Sequence, residues 1–242
     1  MKTKFLHIAT ALLFVGFTSS CSDFLDRYPL DELSDSSFWK TENDAMMAVT
    51  DIYGCLPTWD QDEDINSDNA VHGIKWAAGN ISKGVYDPMD QSWAGSYTPI
   101  RQCNLVLEKV KDIEMSDESR KKIEGQAYFF RAFVYFNLIR SFGDVPYIDK
   151  PLNLTDVEDI TRTPREEVYA KVMADFDKAI EYLPEEWDAA NTPRVTKGAA
   201  LAMKARAALY YNNWQVAADA SKAVMDLGKY EPVSYTHLTL PT

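Results

Sequence analysis

The sequence predicts an all-α protein built of tetratricopeptide-like helical pairs that carry long irregular loops. Three observations point there. Apolar residues recur at helical spacing in successive segments from residue 42 onward, no region alternates as a half-buried strand would, and small residues and a tyrosine near the end of the chain fall at the spacing of a paired-helix repeat. The 242 residues are 46% apolar and 12% aromatic, enough to build a substantial core and unlike a disordered chain.

The first helix is expected over 42–53, where Ala45, Val49 and Ile52 share a face and Thr41 with Asp44 forms a capping box. Periodicity then lapses from Gly54 to about Gln91, a stretch broken by Pro57, Gly73, Gly79, Gly84 and Pro88. A loop this long inside a globular protein is usually functional or mobile. Helical patterns resume over 100–110 and 120–142. In the second of these, Ile123, Ala127, Phe130, Val134 and Leu138 keep to one face while Phe129, Phe133 and Phe136 widen it, as in a helix buried between neighbours. Gly143, Asp144 and Pro146 end that helix. Pro164 suits the first turn of the next, whose stripe is Val168, Val172, Phe176 and Ile180 up to Pro184.

The last pair is expected over 196–211 and 214–227, with Gly228 as its stop. Ala208, Tyr211, Ala220 and Pro232 match a tetratricopeptide repeat, in which small residues let two helices approach and the tyrosine fills the gap between them. Ala132 and Tyr135 open a more degenerate unit whose return helix is 166–183. The interval between the units is irregular, so these are divergent pairs and not a regular array.

Residues 1–20 read as a signal peptide: Lys2 and Lys4, an apolar run over 5–17, then Thr18, Ser19 and Ser20 before Cys21. A cysteine at that position is the expected lipid acceptor, which would tether the protein to a membrane without crossing it. Cys55 and Cys103 are then left, too few for a disulfide framework, and whether they pair stays open. The ending at 233–242, Val-Ser-Tyr-Thr-His-Leu-Thr-Leu-Pro-Thr, resembles translated adapter sequence. A non-native tail following 21–232, and a chain incomplete at its C-terminus, are therefore expected.

Thirty-seven acidic residues against 25 basic ones give a net charge of −12, with the basic residues scattered among carboxylates. No nucleic acid is expected as a partner, because a polyanion needs clustered lysine and arginine. Of the three histidines, His7 lies in the leader and His237 in the tail, so His72 alone would have to serve a catalytic triad, and no nucleophile motif accompanies it. A zinc site lacks ligands, and the run Asp60, Asp62, Asp64, Asn66, Asp68 places Ile65 and Val71 where an EF-hand needs glycine and glutamate. No phosphate-cradling loop is present, and no cofactor is expected.

Several blocks in fixed order resemble the SusD/RagB family over nearly all of 21–232. They are Cys-Ser-Asp-Phe-Leu-Asp at 21–26, Trp93-x3-Tyr97-x2-Ile100 leading to Cys103-Asn104, and Gly-Gln-Ala-Tyr-Phe-Phe-Arg-Ala-Phe-x-Tyr-Phe at 125–136. Phe-Gly-Asp-Val-Pro at 142–146, Arg162-x-Pro164-x2-Glu167-Val-Tyr169, and Pro-Arg-Val-Thr-Lys-Gly-Ala-Ala at 193–200 complete the set. The resemblance implies a SusD-like helical scaffold on a non-enzymatic surface lipoprotein of the outer membrane. Such a protein captures oligosaccharide for import through a SusC-like TonB-dependent transporter.

Capture of sugar needs flat aromatic faces with amides and carboxylates beside them. Loop 54–91 supplies Trp59, Trp76 and Tyr86 as candidate platforms and Asn80 and Asp87 as polar companions, although the same aromatics could equally pack the loop onto the helices. Trp93, Tyr97, Tyr128, Tyr135, Tyr211 and Trp214 are assigned to the core. The alternative readings are a helical-repeat scaffold for protein partners and, behind it, a glycoside hydrolase, whose two carboxyl groups nothing in the sequence marks out.

Overall fold

In the computed structural model, described over residues 38–57, 84, 93–156 and 159–231, six α-helices follow one another. They are α1 (Glu42–Ile52), α2 (Tyr97–Lys109), α3 (Asp117–Phe142), α4 (Arg165–Tyr182), α5 (Lys197–Tyr210) and α6 (Trp214–Asp226). Short 3-10 turns cover Tyr53–Cys55, Ala94–Ser96 and Leu154–Asp156. Among the described residues there is no strand, and Val145 and Thr163 form an isolated antiparallel bridge. No described helix is long and apolar enough to cross a membrane.

Local chemistry sets the helix starts. The capping box of α1 is complete: the Asp44 amide donates to Thr41 Oγ1, and the Thr41 amide donates to Asp44 Oδ2 at 2.8 Å. Helix α2 begins one turn before the apolar periodicity, because Pro99 sits in its first turn, where an amide has no intrahelical acceptor to lose. Helix α3 begins at Asp117 behind Ser116, whose hydroxyl accepts from the Ser119 amide at 3.0 Å. It stops at Gly143, which has φ of 71°. Asp144, the next residue, turns its carboxylate to the first amide of α4, that of Arg165, at 2.9 Å.

Helices adjacent in sequence pack together, with the largest contacts between α3 and α4 and between α5 and α6; α1 lies on α2 and α3. The core matches the expected stripes: Ala45, Val49, Ile52, Ile123, Ala127, Phe130, Val168, Val172 and Phe176 are all buried. Phe129 and Phe136 are buried as well, so α3 is enclosed on more than one side.

Ala208, Ala217 and Ala220 are buried. The Tyr211 ring stacks on Tyr169 of α4, with centroids 4.3 Å apart and planes 12° from parallel, joining one helical pair to the next. One assignment is corrected. Trp214 is not a core residue: it is 61% exposed at the start of α6, which uses Ala217 and Ala220 for its contact with α5. Pro232 lies outside the described residues.

Candidate functional site

The polar side chains of the helices converge on the connection after α3. Tyr135 Oη donates to the Ile148 carbonyl at 3.1 Å and accepts from the Ile148 amide at 2.6 Å. Tyr97 Oη donates to the Pro146 carbonyl, and Asn104 Nδ2 to the Ile148 carbonyl at 2.9 Å. Asn104 also accepts from Arg131 Nη1 at 2.8 Å, and Arg131 grips both carboxylate oxygens of Asp175 at 2.7 Å. Burial pushes the Asp175 carboxyl above its ordinary value, and the bonds from Arg131 pull it back. This cluster ties α2, α3 and α4 together and secures residues 146–150. Its atoms are committed to one another, so it holds the scaffold and is not a catalytic pair.

A second polar knot joins α1, α3 and the segment before α5. Tyr53 Oη donates to Gln126 Oε1 at 2.8 Å and accepts from the Val195 amide at 2.9 Å, while Arg194 bonds Gln126 and Thr50. Gly198, in the first turn of α5, leaves room for the ring of Tyr230, whose atoms would lie 2.5 Å from an added Cβ. Blocks 125–136 and 193–200 of the sequence therefore meet in space.

The candidate ligand site is a cavity of about 470 Å3 between the end of α1, the start of α2 and the middle of α3. Asp51, Gly54 and Cys55 form one wall, and Ser96, Thr98 and Gln102 the opposite one. Phe133, Val134 and Asn137 form the floor. The Gln102 carboxamide donates to the Asp51 carboxylate across the gap. Burial pushes the Cys55 thiol up to about 11, so it stays neutral, and Cys103 is fully buried; both are free thiols. The walls belong to described residues that flank the 58–92 stretch in sequence. Amides, hydroxyls and a carboxylate beside an aromatic ring are suited to bonding hydroxyl groups while covering an apolar ring face. Among the described residues, no group of histidine, cysteine, aspartate and glutamate is placed to hold a metal ion.

The residues singled out in the sequence, Cys21, Trp59, Trp76, Asn80, Tyr86 and Asp87, lie outside the described residues, as do His72 and the acidic run at 60–68. Tyr135 is buried, and Trp93, Tyr97, Tyr128 and Tyr211 pack against the core, as expected. Trp93 rests edge-on against Phe142, with the Arg162 guanidinium 5.2 Å from its ring centroid, which brings blocks 93–104 and 162–169 together. Sequence reasoning missed Asp51, Gln102 and Asn137. Each is a polar residue at an ordinary helical position, and nothing in its spacing separates it from a solvated face.

Comparison with known proteins places this arrangement. Residues 24–209 match the SusD-like family model described as starch-binding and associating with outer membrane. The chain is 29% identical over 240 residues to SusD-like protein P2 of Formosa agariphila, an alignment that takes in 93% of this chain and 46% of that protein. A SusD-like protein from Bacteroides fragilis superposes with a TM-score of 0.74 at 27% identity, covering 86% of this chain and 42% of its own. A SusD-like carbohydrate binding protein from the same species gives 0.67 at 26% identity over 79% of this chain and 42% of that one. The chain thus spans about half the length of the relatives it matches.

Proposed function

The chain belongs to the SusD-like family, and from that premise we propose that it is a surface glycan-binding lipoprotein that delivers oligosaccharide to a SusC-like TonB-dependent transporter. The observation that carries this reading is the family match over residues 24–209, which takes in both the cavity residues and the 58–92 stretch of sequence. A relative of similar fold and 26% identity is described as carbohydrate binding, in keeping with that role. Trp59, Trp76 and Tyr86 act as platforms against pyranose faces, and Asn80 and Asp87 bond sugar hydroxyls. Asp51, Gln102 and Asn137 add polar contacts from the cavity. The protein binds without cleaving, and its one buried acid among the described residues, Asp175, is paired with Arg131. Lipid on Cys21 holds the protein at the outer membrane.

Quenching of tryptophan fluorescence during titration with glucan oligosaccharides tests the binding step. Trp76→Ala combined with Tyr86→Ala should weaken binding at least about tenfold, given roughly 1–3 kcal/mol for each aromatic anchor lost. Unchanged affinity in that double variant would remove the loop from the site, and saturable binding of protein partners without any sugar would favour the scaffold alternative. Cys21→Ala should abolish palmitate labelling in cells; persistent labelling would refute the anchor.

A further inference from the structure

We infer that the cavity between α1, α2 and α3 selects uncharged oligosaccharides over carboxylated or sulfated ones, with Asp51 as the residue that sets the preference; this rests on the glycan-binding reading above. Among the described residues, the polar side chains on its walls and floor are Asp51, Ser96, Thr98, Gln102 and Asn137, and none of these is cationic. The neighbouring cations among the described residues are turned elsewhere. Arg101, adjacent to Gln102 in sequence, lines a separate cavity of about 140 Å3 with Tyr97 and Ile148. Arg140, one turn beyond Asn137, lies 5.9 Å from the ring centroids of both Phe136 and Tyr210. Arg162 covers Trp93.

Backbone dipoles do not restore a positive field. The C-terminal end of α1 and the N-terminal end of α2 both meet the cavity, so their partial charges of opposite sign oppose each other. The amide that Pro99 lacks removes one donor from the positive end. What remains is the full charge of Asp51 within a chain whose net charge is −12. A carboxylate or sulfate entering this space would shed water without gaining a counter-charge and would face Asp51 directly. A neutral hexose loses nothing by that charge, because the Asp51 carboxylate and the Gln102 and Asn137 carboxamides accept from and donate to its hydroxyls.

The test is isothermal titration of the whole chain with two ligand sets of equal length: neutral gluco-oligosaccharides and oligogalacturonate. The neutral set should bind at least about tenfold more tightly at low ionic strength, the scale of one unscreened charge contact. Added salt should strengthen uronate binding while leaving neutral binding unchanged, since screening relieves repulsion only. Asp51→Asn, which keeps an acceptor for Gln102, should narrow the gap by improving uronate binding. Asn137→Ala, at a half-buried position, should weaken the neutral ligand without lowering the melting temperature. Uronate binding that equals or exceeds neutral binding and falls with salt would overturn the selectivity and leave the glycan site standing. Binding of neither set, or neutral binding indifferent to Asn137→Ala, would overturn the site itself.

Discussion

Removing one member of the buried Arg131–Asp175 pair should unfold this protein far more readily than removing any surface ion pair. The two side chains are 8% and 9% exposed and share two hydrogen bonds of 2.7 Å. Asp175→Ala strips the guanidinium of its counter-charge and of acceptors for Nε and Nη2. It leaves the bond to Asn104 Oδ1 and a tyrosine ring 5.4 Å away. A buried charge orphaned in this way costs about 3–5 kcal/mol, which at roughly 2–4 °C per kcal/mol for a chain of this size lowers the melting temperature by about 6–20 °C. The double variant Arg131→Met with Asp175→Leu removes both charges and their desolvation cost, and should recover most of that loss. Asp226→Ala is the control. Its partner Lys222 and Asp226 itself are 73% and 61% exposed, and such a pair contributes less than about 1 kcal/mol. Urea unfolding of the four proteins, followed by helical circular dichroism, measures all of these. If Asp175→Ala cost no more than Asp226→Ala, or the double variant were no more stable than Asp175→Ala, the pair would not be the tie proposed for α2, α3 and α4.

Two glycines that both look crowded should respond differently to alanine. At Gly125 an added Cβ lies 3.0 Å from Tyr182 Cβ and 3.1 Å from Leu183 Cγ, atoms fixed by α4, so Gly125→Ala should cost about 1–3 kcal/mol of overpacking. At Gly198 the obstacle is the half-exposed ring of Tyr230, which can swing away; Gly198→Ala should cost little while breaking the Tyr230 contact with Thr196. Urea midpoints in the reverse order would refute both readings. Alkaline pH should unfold the protein between about pH 10 and 12. Burial pushes Tyr97 and Tyr147 up to about 12, and Tyr135 upward as well. A folded-state value above the unfolded one gives stability that is complete below pH 10 and is lost as pH rises through the folded value. Part of the phenolate absorbance should therefore be withheld until the helices are lost, and complete ionisation of all 13 tyrosines with the helices intact would contradict the burial of these rings.

The helices were legible because their apolar stripes are strong, and their ends less so because end chemistry is polar. Helix α3 starts three residues before the periodicity suggests, since Ser116 caps a first turn of Asp117, Glu118 and Ser119 that carries no apolar residue. Helix α2 starts at Tyr97, where Thr98 and Pro99 look like loop. Trp214 is expected in the core because it lies within a helical motif, yet the buried residues of α6 are alanines three and six residues later. Arg131 carried a signal that could have been used: a cation between Phe130 and Ala132, in the middle of an apolar helix, needs a buried acid, and Asp175 sits beside Phe176 on the helix expected to return along it. The cavity residues had no such signal. Asp51, Gln102 and Asn137 come from three helices whose relative rotation only the packed structure supplies.

The blocks that mark the family turn out to be mostly the parts that hold the scaffold. Trp93 meets Arg162; Tyr97 and Asn104 secure 146–150; Asp144 caps α4; and Arg194 with Val195 meets Tyr53 and Gln126. Such contacts recur wherever the same helices must pack the same way, whatever the ligand, so they identify a fold without specifying a sugar. On the glycan-binding reading, ligand choice then resides outside these contacts, and among the described residues the candidates are the cavity residues. Asp51 and Gln102 bond each other at the surface, and Asn137 has no hydrogen-bond partner among the described residues. Exchanging these three residues should therefore alter ligand preference at little cost to stability, whereas Arg131 or Gly125 should alter stability and affect binding only through the fold.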